Sequence, residues 1–319
     1  MHSSPSIAII GSGAIGGYYG ARLAQHGHNV HFLVRSDFQT VTQTGWTIRS
    51  TSGDFQLPPE HFHAHTSPAQ FPPVDLIVLT LKSTAADQYD SLITPLLGPH
   101  TAILTLQNGL GNEQLLADRF GPHRIIAGLA WICSTRTAPG VINHTFGGKI
   151  QLSDYVGGAT NRAKSVAHLF NHSNIEAEVL SDVRTGKWRK LAWNVAFSGL
   201  GTILDLPTDR ILSTEAGVQL VSALVREIIA IAAAQGVSIP DEFADEIVPF
   251  TRKMGAYRTS MQIDRKLGRP MELDPIFAAP LRYARQSDVP CPRLSTLYEL
   301  LSLLDASLTS GQQPLTTDR

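Results

Sequence analysis

The sequence predicts an α/β fold: a Rossmann-type domain with a parallel sheet, followed by a mainly α-helical second domain. Residues 7–10 form an apolar run that leads into a glycine-rich turn and then a helical pattern, the order that a dinucleotide-binding unit requires. Further apolar runs alternate with helical patterns in the first half, which is typical of a parallel sheet with crossovers. From Val183 onward the periodicity is helical almost throughout.

Length and composition fit this division. The chain has 319 residues, of which 43% are hydrophobic and 17% charged, which excludes disorder caused by low hydrophobicity. Lys+Arg 26 against Asp+Glu 27 gives a formal net charge of -1, without the basic excess of a nucleic-acid binder. We expect a dinucleotide-binding domain over residues 1–181 and a helical substrate domain over residues 182–319.

Three sequence features indicate a cytoplasmic protein. Cys133 and Cys291 lie far apart and in no metal spacing, which fits a reducing compartment. Residues 1–5 lack the basic and apolar regions of a signal peptide. No uncharged apolar run reaches the length of a membrane span. We therefore expect neither a membrane nor nucleic acid as a partner.

The strands and the longest helix can be placed from periodicity. Ser213 or Thr214 is the predicted N-cap of a long helix whose apolar face runs from Val218 to Ala232 and which ends at Gly236. That face is buried either within the fold or in a homodimer, and periodicity leaves the two open. The predicted strands of the first domain cover residues 7–10, 29–34, 76–81, 102–106, 125–130, 141–145 and 149–152, the last two joined by a hairpin-like turn.

The glycine-rich turn has the dinucleotide-binding pattern G-x-G-x-x-G. Gly11 permits the tight turn, Gly13 lets the backbone approach a pyrophosphate, and Gly16 lets the helix pack on the strand. The helix N-terminus adds free amides and a positive dipole end. Because the pattern directly follows a strand, we expect the cofactor to bind Gly11, Ser12, Gly13, Ala14, Ile15 and Gly16.

The residue after the second strand selects the dinucleotide. Arg35 and Ser36 stand there, and a guanidinium with a hydroxyl suits the 2′-phosphate of NADP(H). The alternative is that Arg35 is a solvated loop residue and Asp37 accepts a hydrogen bond from the ribose of NAD. Lys82 and Asn108 follow the third and fourth main strands, where ligands of open parallel sheets bind, although each is also compatible with an ordinary loop.

The second domain offers a proton donor. Lys190 and Asn194 are four residues apart, so on a helix they project from one face. A lysine partly desolvated in a cleft can protonate the oxygen formed when a carbonyl is reduced, although from spacing alone a solvated lysine is the commoner case. The hydroxyl of Ser260 can bind a carboxylate, whereas nothing in the pattern alone singles out Glu272.

With these residues assembled, the chain resembles the ketopantoate reductase (2-dehydropantoate 2-reductase) family over nearly its whole length. The matching segments cover residues 11–17, 79–82, 107–111, 188–194 and 260–274, in the family's order. The resemblance implies NADPH-dependent reduction of a 2-oxo acid, most directly 2-dehydropantoate to pantoate in pantothenate biosynthesis. This reaction is implied by the resemblance alone, because composition and spacing do not specify a substrate.

The resemblance also implies roles for single residues. Lys190 matches the general acid and Glu272 the acid beside it. Ser260 matches a residue at the substrate carboxylate, and Asn194 and Asn108 match residues that bind substrate or the nicotinamide ribose. Arg35 corresponds to the 2′-phosphate arginine, and Lys82 corresponds to the lysine at the cofactor edge.

The chain departs from the family pattern on the substrate side. Ser198-Gly199 replaces an asparagine and proline, Tyr257 replaces an asparagine of some members, and Phe277-Ala278 replaces Asn-Gly. These departures leave two further hypotheses open: a reductase of another 2-oxo acid, and a non-catalytic NADP(H)-binding sensor. An NAD-dependent hydroxy acid dehydrogenase is a third, which Arg35 disfavours.

One histidine pattern lies outside these motifs. His61, His63 and His65 recur at period two and would share one face of a strand. No Cys, Asp or Glu cluster accompanies them, so we expect a solvated edge segment and no metal site.

Overall fold

The structure, a computed structural model, describes residues 5–309, so four of the residues on which the signal-peptide prediction rests lie outside it. The described residues divide into two compact units. The first comprises the chain up to Gln107 together with Asn112–Val183, and the second comprises Asn108–Gly111 and the chain from Arg184 onward. A loop that follows a strand of the first unit therefore belongs to the second.

In the described residues the first unit contains one ten-stranded sheet. Its strands are β1 (Ser6–Ile10), β2 (Asn29–Leu33), β3 (Trp46–Ser50), β4 (Phe55–Leu57), β5 (His63–His65), β6 (Val74–Leu79), β7 (Leu97–Thr105), β8 (Ile125–Ala138), β9 (Val141–Asp154) and β10 (Ala177–Val179). Its helices are α1 (Ala14–Gln25), α2 (Phe38–Thr44), α3 (Tyr89–Ile93), α4 (Asn112–Phe120) and α5 (Asn161–His172).

The strand order is that of a Rossmann sheet. Strands β5, β2, β1, β6, β7 and β8 are neighbours in that sequence, and every pair among them is parallel. The order reverses between β1 and β6, which makes the carboxyl ends of these strands the topological switch point. On β1, Ile7 and Ile9 join one hydrophobic cluster and Ala8 and Ile10 join another, so both faces of the sheet are covered.

The structure corrects the predicted hairpin at residues 146–148. Strand β9 runs through this segment without a break and pairs antiparallel with β8 along its length. Gly147 and Gly148 have φ of 74° and 115°, and the register shifts here, which is the geometry of a bulge. A Cβ at Gly147 would lie 2.2 Å from the carbonyl oxygen of Trp131, so the strand tolerates only glycine there. The glycines bend a continuous strand, and the prediction of two strands is wrong.

The second unit is helical, apart from the loop Asn108–Gly111. Two segments, Asn194–Gly199 and Asp274–Ala278, are π-helical, and the first of them directly continues α6. The α-helices are α6 (Arg184–Trp193), α7 (Leu200–Leu204), α8 (Thr208–Ile211), α9 (Glu215–Ala234), α10 (Phe243–Arg252), α11 (Ser260–Lys266), α12 (Ala279–Gln286) and α13 (Pro292–Thr309).

Helix α9 forms the centre of this unit. The hydroxyl of Thr214 accepts a hydrogen bond from the amide of Gly217 at 3.1 Å, and Gly236 follows the helix with φ 74°, as the capping pattern predicts. The helix has the length and mean hydropathy, 1.7, of a membrane span. It packs against α6, α10, α12 and α13, however, and Val225 and Ile228 are fully buried. The apolar face is therefore core within this unit, and a homodimer stays a prediction.

The histidines of the edge strand join a partner that the sequence pattern did not include. His61 lies outside β5, whereas His63 and His65 lie on it and pair with β2. Nδ1 of buried His31 lies 3.0 Å from Nε2 of His65, and the rings of His31 and His63 stack with centroids 4.5 Å apart. Burial, then His63 and His65, lowers the pKa of His31 from 6.5 to about 4.

The His31 cluster predicts a loss of stability in acid. Between about pH 6.5 and about pH 4 the unfolded chain protonates His31 while the folded chain does not, so the free energy of unfolding falls as the pH falls. We expect His31→Gln to flatten this fall, measured by urea unfolding at several pH values. His100→Gln, which replaces an exposed histidine, is the control and should keep the slope of the unaltered protein. An unchanged slope for His31→Gln contradicts the prediction.

Candidate active site

The glycine turn lies at the switch point between β1 and β6. Gly11 has φ 107°, and a Cβ there would lie 2.4 Å from the backbone nitrogen of Leu81. A Cβ at Gly16 would lie 2.4 Å from the carbonyl oxygen of Gly11. These two glycines are therefore required by close backbone packing.

Gly13 differs from its two neighbours in the motif. A Cβ at Gly13 would meet no atom within 4 Å, so packing of the described residues does not require glycine there. Gly13 is also the N-cap of α1, whose first turn has neither a capping side chain nor an acidic residue. An uncapped helix N-terminus beside open space fits an anionic group such as a pyrophosphate.

The residues between the glycines connect the turn to other strands. The hydroxyl of Ser12 donates a hydrogen bond to the carbonyl of Leu33 at the end of β2, at 2.7 Å. The carbonyl of Ala14 accepts one from the hydroxyl of Ser134 on β8, at 3.2 Å. Ile15 is half-buried against the main hydrophobic cluster of the unit. The turn is thus held against the carboxyl end of β2 and against β8.

Arg35 and Lys82 both border the short 3-10 turn Ser83–Gln88. Arg35 is exposed just beyond β2 and donates a hydrogen bond from Nη2 to Oε1 of Gln88 at 2.7 Å. Lys82 immediately precedes this turn and is half-buried. Arg35 therefore lies beyond the carboxyl end of β2 and Lys82 beyond that of β6, the two strands that flank β1.

Asp37 is not available to a ribose. Its side chain is 2% exposed, and Oδ1 accepts hydrogen bonds from Nη1 of Arg136 at 2.6 Å and from the hydroxyl of Ser36 at 2.8 Å. Oδ2 accepts one from the amide of Gly140 at 3.0 Å. Because donors from the protein occupy both oxygens, the NAD alternative loses the acid that it requires.

In the second unit, Lys190 and Asn194 lie at a change of helix type. Half-buried Lys190 lies in the last turn of α6, and Asn194 is the first residue of the π-helical segment that follows. Asn194 is buried, and its Nδ2 has no hydrogen-bond partner among the described residues. Single π-helical turns occur frequently at functional sites.

The loop that carries Asn108 is fixed to the segment after Glu272. The amide of Leu110 donates to the carbonyl of Pro275 at 2.9 Å, and a Cβ at Gly109 would lie 2.4 Å from the same oxygen. Glu272 is buried three residues before Pro275. The π-helical segment that begins at Asp274 contacts the one that begins at Asn194. The loop of Asn108, the π-helical segment that begins at Asn194 and the segment that follows Glu272 therefore lie together within one unit.

Ser260 differs from these residues because its side chain is exposed. It is the first residue of α11, which contacts the π-helical segment after Lys190. Its side chain is exposed and makes no hydrogen bond within the described residues. Its role at a substrate carboxylate stays a prediction.

Both units match one family. Residues 7–157 match the family described as ketopantoate reductase PanE/ApbA, and residues 182–305 match its C-terminal domain. The chain belongs to the ketopantoate reductase family. This membership confirms the resemblance, the fold class and the prediction of an NADP-dependent oxidoreductase.

Relatives within this family align over almost their full lengths. A 2-dehydropantoate 2-reductase of Nostoc sp. is 38% identical over 316 residues, 98% of each chain. The crystal structure of a 2-dehydropantoate 2-reductase from Geobacter metallireducens has a TM-score of 0.91 at 41% identity, covering 93% of this chain and 99% of that one. A D-mandelate dehydrogenase with NADH and anilino(oxo)acetate has a TM-score of 0.84 at 25% identity, covering 95% and 99%.

The positions that depart from the family pattern pack into the helical core. Ser198 is buried in the π-helical segment, and a Cβ at Gly199 would lie 2.6 Å from Leu297 on α13. The ring of Tyr257 lies 6.3 Å from that of Trp193. Ala278 ends the second π-helical segment. These positions therefore take part in the packing of the helical unit.

The sequence interpretation missed two polar side chains, Ser134 and Arg136, which contact residues that follow β1 and β2. The predicted strand ended at residue 130, whereas β8 continues to Ala138 and carries both side chains to the ends of β1 and β2. Ser134, Thr135 and Arg136 are all polar, so no alternation of apolar and polar residues indicated that the strand continues.

The open space beside Gly13 predicts that a side chain there would weaken cofactor binding more than it lowers stability. Gly13→Ala should bind NADPH at least about tenfold more weakly, because the methyl group would fill the space that a pyrophosphate needs. It should lower the free energy of unfolding by at most about 1 kcal/mol, the cost of a poorer N-cap. Calorimetric titration and urea unfolding measure the two quantities. Gly98→Ala, where a Cβ meets only ordinary contacts, should change neither. Unaltered NADPH binding by Gly13→Ala contradicts this assignment.

Proposed function

We propose that the protein reduces 2-dehydropantoate to pantoate with NADPH, the reaction for which its relatives are named. One observation carries the proposal: both units match the family, and in the second unit Lys190 and Asn194 lie on contacting helical segments, with Glu272 two residues before a third. Cofactor residues on the first unit and a proton donor on the second are what a carbonyl reduction needs.

The residues of the first unit fit the cofactor. The open N-terminus of α1 at Gly13 would hold the pyrophosphate, Arg35 the 2′-phosphate, and Lys82 the cofactor edge. NADPH, when bound, supplies the hydride that reduces C2 of the 2-oxo acid.

The second unit supplies the proton. The ammonium group of Lys190 protonates the C2 oxygen as the carbonyl becomes a hydroxyl, and solvent then reprotonates the amine. Asn194 donates from Nδ2 to a substrate oxygen, which would satisfy a buried donor that has no partner in the described residues. Buried Glu272 holds Lys190 or the substrate hydroxyl, Ser260 binds the carboxylate, and Asn108 binds substrate or the nicotinamide ribose.

A second candidate is a reductase of an aromatic 2-oxo acid. Tyr257 stands where some members have an asparagine, and it packs beside Trp193. Aromatic side chains beside a substrate favour an aromatic ligand over a small polar one. The structure of the similar D-mandelate dehydrogenase contains anilino(oxo)acetate, whose anilino group is aromatic. A non-catalytic NADP(H) sensor is the remaining alternative. The cytoplasmic location expected from the sequence stays a prediction.

A substrate panel separates these candidates. Purified protein with NADPH is offered ketopantoate, phenylglyoxylate and small aliphatic 2-oxo acids while the absorbance of NADPH is followed. Preference for ketopantoate in kcat/KM supports the proposal, and preference for phenylglyoxylate supports the aromatic candidate. Tight NADPH binding without turnover of any 2-oxo acid would favour the sensor and overturn both.

Lys190→Ala tests the general acid. We expect kcat to fall by a factor of about 10² to 10⁴ while the Kd of NADPH stays unchanged, because the lost group acts on the substrate oxygen alone. Lys253→Ala, which removes an exposed lysine of the same unit, should leave both quantities unchanged. A Lys190→Ala enzyme with full kcat refutes the assignment.

A further inference from the structure

Arg136 reaches from β8 to the residues that follow β2. Its Nη1 donates to Oδ1 of Asp37 at 2.6 Å and lies 3.2 Å from the hydroxyl of Ser36. Arg35, the predicted 2′-phosphate residue, directly precedes Ser36. The guanidinium of Arg136 therefore lies against the two residues that directly follow Arg35.

Asp37 fixes the position of this guanidinium. The carboxylate is 2% exposed and also holds the amide of Gly140, in the turn between β8 and β9. A buried carboxylate with a charge-assisted hydrogen bond restrains the arginine strongly. The side chain of Arg136 is nevertheless 30% exposed, and its Nε and Nη2 make no hydrogen bond within the described residues. One edge of a fixed guanidinium remains available to a ligand.

Arg136 lies on the same face of β8 as a residue that contacts the glycine turn. Ser134, two residues earlier and therefore on the same face of the strand, donates to the carbonyl of Ala14 in that turn. Arg136 continues this face toward β2. The same strand thus contacts the expected pyrophosphate site and the residues beside the expected 2′-phosphate site.

We propose that Arg136 is a second 2′-phosphate ligand, which selects NADPH over NADH together with Arg35. The inference rests on the proposed function, because it assumes that a nicotinamide dinucleotide binds at the glycine turn. Arg35 and Arg136 carry two positive charges and Asp37 one negative charge, which leaves one net positive charge toward the phosphate dianion. NADH lacks the 2′-phosphate, so it gains nothing from Arg136.

A double substitution can remove the ion pair of Arg136 and Asp37 without leaving a buried charge unpaired. Arg136→Ala alone leaves Asp37 buried and unpaired, which is destabilising, whereas Arg136→Ala/Asp37→Ala removes both charges together. Calorimetric titrations of the full chain with NADPH, NADH, 2′,5′-ADP and 5′-AMP then isolate the phosphate. Lys164→Ala, which removes an exposed cation on α5, is the matched control.

We expect the double variant to bind NADPH and 2′,5′-ADP about 10- to 100-fold more weakly, the range for one lost charge-assisted contact. Its Kd for NADH and 5′-AMP should change by less than about threefold, well short of one such contact. The Lys164→Ala control should keep all four values. A double variant that retains the NADPH over NADH ratio of the unaltered protein overturns the inference alone. If the unaltered protein binds neither nucleotide, the proposed function itself fails.

Discussion

The cofactor half of this protein depends on the contact between the loops that follow β1 and β6. The backbone of Gly11 lies against that of Leu81, so closely that a single methyl group on Gly11 would overlap it, and the hydroxyl of Thr80 donates to the carbonyl of Gly11 at 2.7 Å. Any other residue at Gly11 would pay about 1–2 kcal/mol for its left-handed backbone before the overlap is counted. The start of α1 is positioned by this contact.

The second unit depends on an analogous backbone contact of the loop Asn108–Gly111. Leu110 donates its amide to Pro275, and Gly109, with φ 83°, lies against the same carbonyl. The contact ties Asn108 to the segment after Glu272, although the two are more than 160 residues apart in the chain. In both units a glycine with positive φ lets two backbones meet where functional side chains are expected.

The sequence predicted the features that depend on local rules. The glycine turn, the parallel strands after it, the cap at Thr214 and the end at Gly236 all follow from the conformational preferences of single residues. The features it missed depend on partners distant in sequence. Gly147 and Gly148 have the composition of a turn, and only their pairing with β8 makes them a bulge. His61 fits the alternation of a strand, yet His31 is the histidine that lies against His65.

The same distinction applies to the candidate site. Arg35 could be predicted because it directly follows a predicted strand, whereas Arg136 could not, because its place depends on the extension of β8 past residue 130. The apolar run of β8 ends there, and what continues the strand is its ladder with β9, which no local pattern in residues 131–138 indicates. Asp37 illustrates the consequence: its sequence position suited a ribose ligand, and its burial against Arg136 and Gly140 removes it from that role.

Packing limits what can stand at Gly199 in the second unit. Gly199 lies against Leu297 and Phe277, so a larger residue there would require α13 or the second π-helical segment to move. A larger side chain at Gly199 would therefore have to be accompanied by changes in these neighbours. The cofactor turn is held by backbone atoms, which admit few substitutions. The contacts at Gly199 are made by side chains, which can repack, so this position admits compensated substitutions that the backbone contact at Gly11 does not.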